Sequence, residues 1–386
     1  MFIASLSLLS AFAATPTGGP VAWKATYAAA DPQSALDFCI RYLGARQIPQ
    51  PHHGGNGTCS LIKWVTFDAS GINYQFHFVD SFEARMGNFT LTDWAAYMEA
   101  LNGNISSGVY NTYMDNHVGL HVTDMRPYLE RLRRDNVPYF TRTQDKHDPG
   151  CDVFVQLPGN GIIVELACGT KGCCPDDVHP IGWDLCKPGE MMELHRRTAR
   201  ALEEEDASSG SATITLRPWK MTFASSDPQA AADFVVRTLG ASHIPHPPSL
   251  SDVCGKVRWV EFPPPKGQYT GYQLHFVHNP RKASGKMSVE AFERYRTALH
   301  GDLRASNGTR GNAMYDAFMD NHVGLLVDDI APYVQRLEAL GVPFFTRGPD
   351  PQDVFVMIPG GIIFELAHKG KARTPLYLTP WDLCQH

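Results

Sequence analysis

The heptapeptide Met-Asp-Asn-His-Val-Gly-Leu occurs twice in this chain, at Met114 to Leu120 and again at Met319 to Leu325. The match extends in both directions. Asp31-Pro32-Gln33 corresponds to Asp227-Pro228-Gln229, Asp152-Val153-Phe154-Val155 to Asp353-Val354-Phe355-Val356, and Gly161-Ile162-Ile163 to Gly361-Ile362-Ile363. The tails Trp183-Asp184-Leu185-Cys186 and Trp381-Asp382-Leu383-Cys384 agree as well. A period of about 200 residues is far longer than the roughly 20 to 50 of a solenoid repeat, so each copy is expected to be a domain. The expected division is residues 20–187 for the first domain, 188–216 for a helical and flexible linker, and 217–386 for the second domain.

With 386 residues, 43% hydrophobic and 19% charged, the chain can bury two ordinary cores. The net charge of −6 and the absence of basic runs exclude a nucleic-acid footprint. Residues 1–13 form a short apolar stretch ending in Ala11-Phe12-Ala13, the small-x-small pattern of a signal peptide, so secretion or an endomembrane lumen is the expected address; a plain apolar terminus is the alternative. No later stretch approaches the roughly 20 apolar residues of a membrane span. Sequons at Asn56, Asn88, Asn104 and Asn307 fit that address.

Of nine cysteines, two recur in both copies. Joint retention of Cys59 with Cys186, and of Cys254 with Cys384, predicts one disulfide closing each domain, against the alternative of paired buried thiols. Cys168, Cys173 and Cys174 cluster after the last strand of the first copy, where a further bridge is possible, while Cys39 and Cys151 have no evident mate.

The first copy reads as strand Ala22 to Ala28, then a helix to Leu43 opened by Asp31-Pro32 and stopped at Gly44. Two alternating strands follow, Leu61 to Asp68 and Asn73 to Val79, and then a polar helix over Leu91 to Leu101. The pattern restarts with strand Asn116 to Val122, helix Met125 to Asp135, and strands Val137 to Arg142, Val153 to Leu157 and Ile162 to Ala167. Pro158-Gly159 marks a hairpin, echoed at Pro359-Gly360. Each copy thus holds two βαβββ-like modules, an α+β class, and Gly189 to Glu205 reads as helical before a flexible joint over Asp206 to Ser211.

This order, with His-Val-Gly-Leu opening the later module and Gly-Ile-Ile-x-Glu-Leu-Ala closing it, resembles the vicinal oxygen chelate superfamily, which includes glyoxalase I, extradiol dioxygenases and fosfomycin-resistance proteins. The resemblance implies two paired modules per domain forming a cupped barrel, with a divalent metal held from first and last strands. Carried over by position, it implies His77, His117 and Glu165 as ligands in the first domain and His275, His322 and Glu365 in the second. Two imidazoles and a carboxylate suit Fe(II), Mn(II) or Zn(II), one ion per domain.

On the first strand the sequence departs from the family pattern. Lys24 and Lys220 stand where the family places a ligand, and an ammonium cannot ligate. Both lysines are candidate catalytic groups, to neutralise an enolate or act as acid or base, with a snorkelling rim lysine as the alternative. Gln75, Arg142, Gln273 and Arg347 are candidate substrate contacts. His121 becomes Leu326 in the second copy, which argues against a shared role for it. The leading expectation is a metal-dependent enzyme, dioxygenase-like or lyase/isomerase-like, on a small oxygen-chelating substrate. The alternative is a protein that sequesters a small molecule or metal without turnover.

Overall fold

A computed structural model describes residues 20–48, 62–69, 72–80, 91–106, 116–145, 148–159, 161–168, 173, 216–225, 227–245, 257–264, 271–278, 321–346 and 353–370. The expected leader (1–13), the expected linker over 188–205 and joint over 206–211, Arg347 and the four cysteines of the two expected bridges lie outside them.

The first copy contains β1 (Val21–Ala28), α1 (Pro32–Leu43), β2 (Arg46–Gln47), β3 (Ile62–Ala69), β4 (Ile72–Val79), α2 (Leu91–Asn102), β5 (His117–Val122), α3 (Arg126–Arg134), β6 (Tyr139–Asp145), β7 (Asp148–Gln156) and β8 (Ile163–Cys168). The second contains β9 (Leu216–Ala224), α4 (Pro228–Leu239), β10 (Ser242–Ile244), β11 (Val257–Glu261), β12 (Gln273–Val277), β13 (His322–Val327), α5 (Ala331–Ala339), β14 (Phe344–Thr346), β15 (Asp353–Met357) and β16 (Ile363–His368). Helix boundaries follow local chemistry. Asp31 accepts from the Ser34 backbone N–H at 3.0 Å, and Asp227 from Ala230 at 2.9 Å. Both helices then stop at a left-handed glycine, Gly44 (φ 73°) and Gly240 (φ 80°).

The expected α+β class of paired βαβββ modules is what forms, as two eight-stranded mixed sheets, but the modules pair across the copies rather than within them. One sheet runs β14-β15-β16-β13-β1-β4-β3-β2 and the other β10-β11-β12-β9-β5-β8-β7-β6. Each sheet therefore joins the first module of one copy to the second module of the other. The junctions are antiparallel, with Thr26 opposite His322 and Thr222 opposite His117. Asparagines of the repeated heptapeptide secure both: Asn321 Oδ1 accepts from the Ala28 N–H, and Asn116 Oδ1 from the Ala224 N–H at 2.6 Å.

Modules of one copy instead touch through their helices and turns. Arg41 on α1 pairs with Asp135 at the end of α3 at 2.9 Å, and the Arg131 Nε donates to the Tyr42 carbonyl at 3.1 Å. The β7–β8 turn rests on the β1–α1 corner, where the Ala30 N–H donates to the Gly159 carbonyl at 2.7 Å. Gly159 has φ 76°, and a Cβ there would lie 2.4 Å from the Asp31 carbonyl oxygen, so both conformation and space require glycine.

A single hydrophobic cluster takes in residues of both sheets and their helices, including Phe76, Phe78, Leu120, Val164, Leu274, Phe276, Leu325 and Phe364. The same cluster includes the buried Tyr74 and its counterpart Tyr272. Burial, the largest cause, raises both phenol pKa values above the ordinary tyrosine range.

Candidate functional site

Strand alternation gives each sheet one face that avoids this core, and residues in register across four to six strands form rows on it. In the first sheet one row is Trp64, His77, Thr26, His322. The next is Thr66, Gln75, Lys24, Gly324, Glu365, Phe355. The other sheet repeats them as Trp259, His275, Thr222, His117 and Glu261, Gln273, Lys220, Gly119, Glu165, Phe154. Pairing between copies corrects the expected ligand sets. His117 and Glu165 do not join His77, because β5 pairs with β9 and not with β1; they face Lys220 and His275. His322 and Glu365 likewise join His77 and Lys24.

The two arrangements agree closely. Lys24 Nζ lies 2.6 Å from Glu365 Oε2, and Lys220 Nζ 2.9 Å from Glu165 Oε2. His322 Nε2 is 3.1 Å from the same Glu365 oxygen, and His117 Nε2 is 3.0 Å from that of Glu165. Thr26 Oγ1 is 3.1 Å from His322 Nε2 and Thr222 Oγ1 3.0 Å from His117 Nε2. Both glutamates are 0% exposed, and Lys24 and Lys220 are 4% and 5% exposed, so these charges are compensated by one another in a low-dielectric setting.

Each lysine reaches its glutamate by crossing a glycine. A Cβ on Gly324 would stand 2.5 Å from Lys24 Cγ and 3.1 Å from its Cε, and a Cβ on Gly119 would meet Lys220 at the same distances. That explains the glycine in His-Val-Gly-Leu: it is the channel for the lysine stem. Beside it, Lys24 Nζ sits 4.8 Å from the Trp23 ring centroid and Lys220 Nζ 4.2 Å from that of Trp219, within cation–π range.

The remaining histidines are held a row apart from the carboxylates. His77 Nε2 is 2.9 Å from Gln75 Oε1 and its ring stacks on Trp64 at 4.1 Å and 8°. His275 repeats this with Gln273 at 3.1 Å and Trp259 at 4.0 Å and 5°. Gln75 and Gln273 thus orient histidines. Arg142 occupies a register position opposite Asp152, on β6.

Thr26, Thr222, Trp64, Trp259, Asn116 and Asn321 were not singled out from sequence. Their signal was present, since Trp-Lys-x-Thr occurs at Trp23 and Trp219, and a basic residue precedes Trp-Val at Lys63 and Arg258.

The donor set does not fit a resident divalent cation as it is arranged. Such an ion needs the glutamate oxygen and histidine nitrogen at about 2.0 to 2.2 Å. The lysine ammonium already occupies that position on the glutamate oxygen in both sheets. A dication about 3 Å from an ammonium would be repelled by on the order of 10 kcal/mol at an effective dielectric constant of about 20. Among the described residues, no three of His, Cys, Asp and Glu converge as a metal-binding group.

Cys168 is bonded to Cys173, placing the further bridge within the Cys168 to Cys174 cluster, and Cys39 is a buried free thiol. No helix among the described residues is long and apolar enough to cross a membrane.

The paired modules and their strand order define an α+β architecture of two eight-stranded mixed sheets. Solved structures similar to this chain include a Bacillus subtilis protein with a provisional dioxygenase designation (13% identity, TM-score 0.45, covering 92% of this chain and 86% of that one) and glyoxalase I from Zea mays (12%, 0.45, 91% and 92%). The cppA protein of Streptococcus pneumoniae is another (10%, 0.41, 91% and 100%). No family model and no curated protein sequence matches the chain.

Proposed function

We propose that this chain is a small-molecule enzyme with two sites, each catalysing proton transfer at a carbon next to an oxygen-bearing group, with a lysine ammonium as the electrophile. One observation carries the reading: an ammonium, a carboxylate and an imidazole lie within hydrogen-bond distance on one face, and the arrangement is built twice.

The chemistry follows from the groups. Substrate enters between Lys24 and Glu365, and its carbonyl oxygen takes the ammonium as hydrogen-bond donor. Glu365 removes a proton from the adjacent carbon; the C–H bond breaks, its electron pair moves into the enolate, and the negative oxygen is stabilised by Lys24. On an α-hydroxy ketone, return of that proton to the former carbonyl carbon, with the hydroxyl proton passing to the former carbonyl oxygen, completes an isomerisation with no net oxidation. His322 and Thr26 hold the carboxylate in place. Lys220, Glu165, His117 and Thr222 perform the same steps in the other sheet.

Carbon-bound hydrogen exchange in D2O, followed by NMR on small α-hydroxy ketones, tests this. Exchange is expected to survive exhaustive chelation and to fall by about 100-fold or more in the Lys24→Met/Lys220→Met double variant, in line with loss of a positioned acid–base or oxyanion group. Loss of exchange on chelation with recovery on adding Fe(II), Mn(II) or Zn(II) would return the function to a metal. Stoichiometric binding without exchange would make the protein a sequestering one.

A further inference from the structure

The two faces agree in the rows described so far except at one end, where Thr66 stands against Glu261, whose carboxylate accepts from Gln273, and they diverge again in the next row. In the first sheet that row is Asp353, Ala367, Leu326, Val21. In the other it is Asp152, Ala167, His121, Arg217. By repeat position Leu326 corresponds to His121 and Val21 to Arg217, so an apolar pair has as its counterpart a polar, cationic one.

The surroundings differ accordingly. Leu326 is buried in a small cluster with Trp23 and Ala367. Trp219, the counterpart of Trp23, is only partly buried, and its ring centroid lies 4.9 Å from that of His121. Arg217 is exposed beside it. Burial first, and the Arg217 charge second, hold the His121 imidazole down to about 4, so it is neutral at pH 7 and can donate one hydrogen bond. Glu165 and Lys220 are the other charges acting on it.

Gly119 and His121, the register partners of Lys220 and Arg217, are successive same-face residues and so roughly 7 Å apart. A ligand oxygen on Lys220 therefore leaves a group two or three bonds away within reach of Arg217, whose guanidinium binds carboxylate or phosphate through paired N–H donors. We infer that the face carrying Lys220 takes a substrate ending in an anionic group, carboxylate or phosphate, bound by Arg217 and His121. The face carrying Lys24 takes an apolar end at the same place, against Trp23 and Leu326. The inference rests on the reading of these faces as substrate sites, and it divides one chain into two specificities.

Calorimetric titration of the full chain with malonate and with inorganic phosphate tests it. At least one of the two anions is expected to bind with one equivalent per chain, and the tighter one identifies the terminal group. Arg217→Val/His121→Leu should weaken that binding by about tenfold or more, whereas Arg217→Lys should retain most of it. Val21→Arg/Leu326→His should raise the stoichiometry to two. Two equivalents in the unmodified chain, no binding of either anion, or affinity indifferent to Arg217→Val/His121→Leu would overturn the inference. Hydrogen exchange in the Lys24→Met/Lys220→Met double variant keeps the two ideas apart: exchange that survives there, with anion binding in the unmodified chain dependent on Arg217, defeats the lysine mechanism alone, while anion binding indifferent to Arg217 with exchange still lysine-dependent defeats this inference alone.

Discussion

Thr26 and His322, 296 positions apart in the chain, share a hydrogen bond of 3.1 Å across the junction of β1 and β13. The same histidine nitrogen is 3.1 Å from Glu365, so this contact links the seam between copies directly to the charged centre of the site. Thr222 and His117 repeat it at 3.0 Å. Removing the hydroxyl leaves a buried imidazole without one of its partners, which typically costs about 1 kcal/mol or somewhat more. Thr26→Val and Thr222→Val are each expected to destabilise by that amount in urea unfolding and to slow hydrogen exchange at one site only. Equal losses at both sites from one substitution would contradict the assignment.

Gly324→Ala tests the lysine channel. Its methyl group would stand 2.5 Å from Lys24 Cγ, so the buried stem has to move. Overpacking of this kind costs about 1 to 3 kcal/mol, and displacement of the ammonium from Glu365 should lower exchange at that site nearly as far as Lys24→Met. Gly119→Ala should do the same to the other. A variant with full stability and full activity would show that the stem need not lie where it does.

Exchange of modules predicts how the chain behaves when divided. Expressed separately, residues 20–205 and 212–386 each present an unpaired β1 or β9 edge and an uncovered site face. Neither should persist as a folded monomer, and mixing them should yield a one-to-one complex with the circular dichroism of the intact chain. A cooperatively folded monomer of either half, seen by analytical ultracentrifugation, would contradict the exchange.

Acid should destabilise the protein partly through His121. Its folded-state pKa is lowered from 6.5 to about 4 by burial and Arg217, so as pH falls below 6.5 the unfolded chain takes up the proton first. The contribution is complete above 6.5 and declines as pH falls toward 4. His121→Leu, the residue already present at position 326, should flatten the stability profile across that window, read as thermal midpoints at pH 7 and pH 5. An unchanged slope would mean the imidazole is not held neutral.

Reduction of Cys168–Cys173 should have a modest effect. The bridge spans only five positions, and a loop that short contributes about 2 kcal/mol. Its local role is clearer: the Cys173 carbonyl accepts from the Met125 N–H at 3.0 Å, at the start of α3. Faster amide exchange at Met125 in the Cys173→Ser protein, with little change elsewhere, is the expected result.

Element order was legible in the sequence because Asp-Pro caps, glycine stops and period-two alternation are local signals. Most of the site was legible too, since His77, Glu365, Lys24 and their counterparts recur where much of the surrounding sequence differs. Which residues share a site was not. β1 must pair with a His-Val-Gly-Leu strand, and the chain offers two of them, β5 and β13, with the same asparagine before each and the same glycine within. Side-chain pattern cannot choose between edges that share His-Val-Gly-Leu; the choice falls to the connections and to helix contacts such as Arg41 with Asp135. Metal ligation was carried over by position from the family resemblance, and the lysine placed among those residues alters what they can hold.

Tyr74 and Tyr272, at equivalent positions of the two repeats, are buried in one shared core. A chain of one repeat contains every strand edge needed to build both sheets with a second copy of itself. The present protein therefore has the internal organisation of a homodimer whose subunits have been joined, and joining them frees the two sites to differ. In a true homodimer any substitution appears at both sites at once, whereas here Arg217 and Val21 are set independently. Covalent fusion is what permits the asymmetry between the two faces.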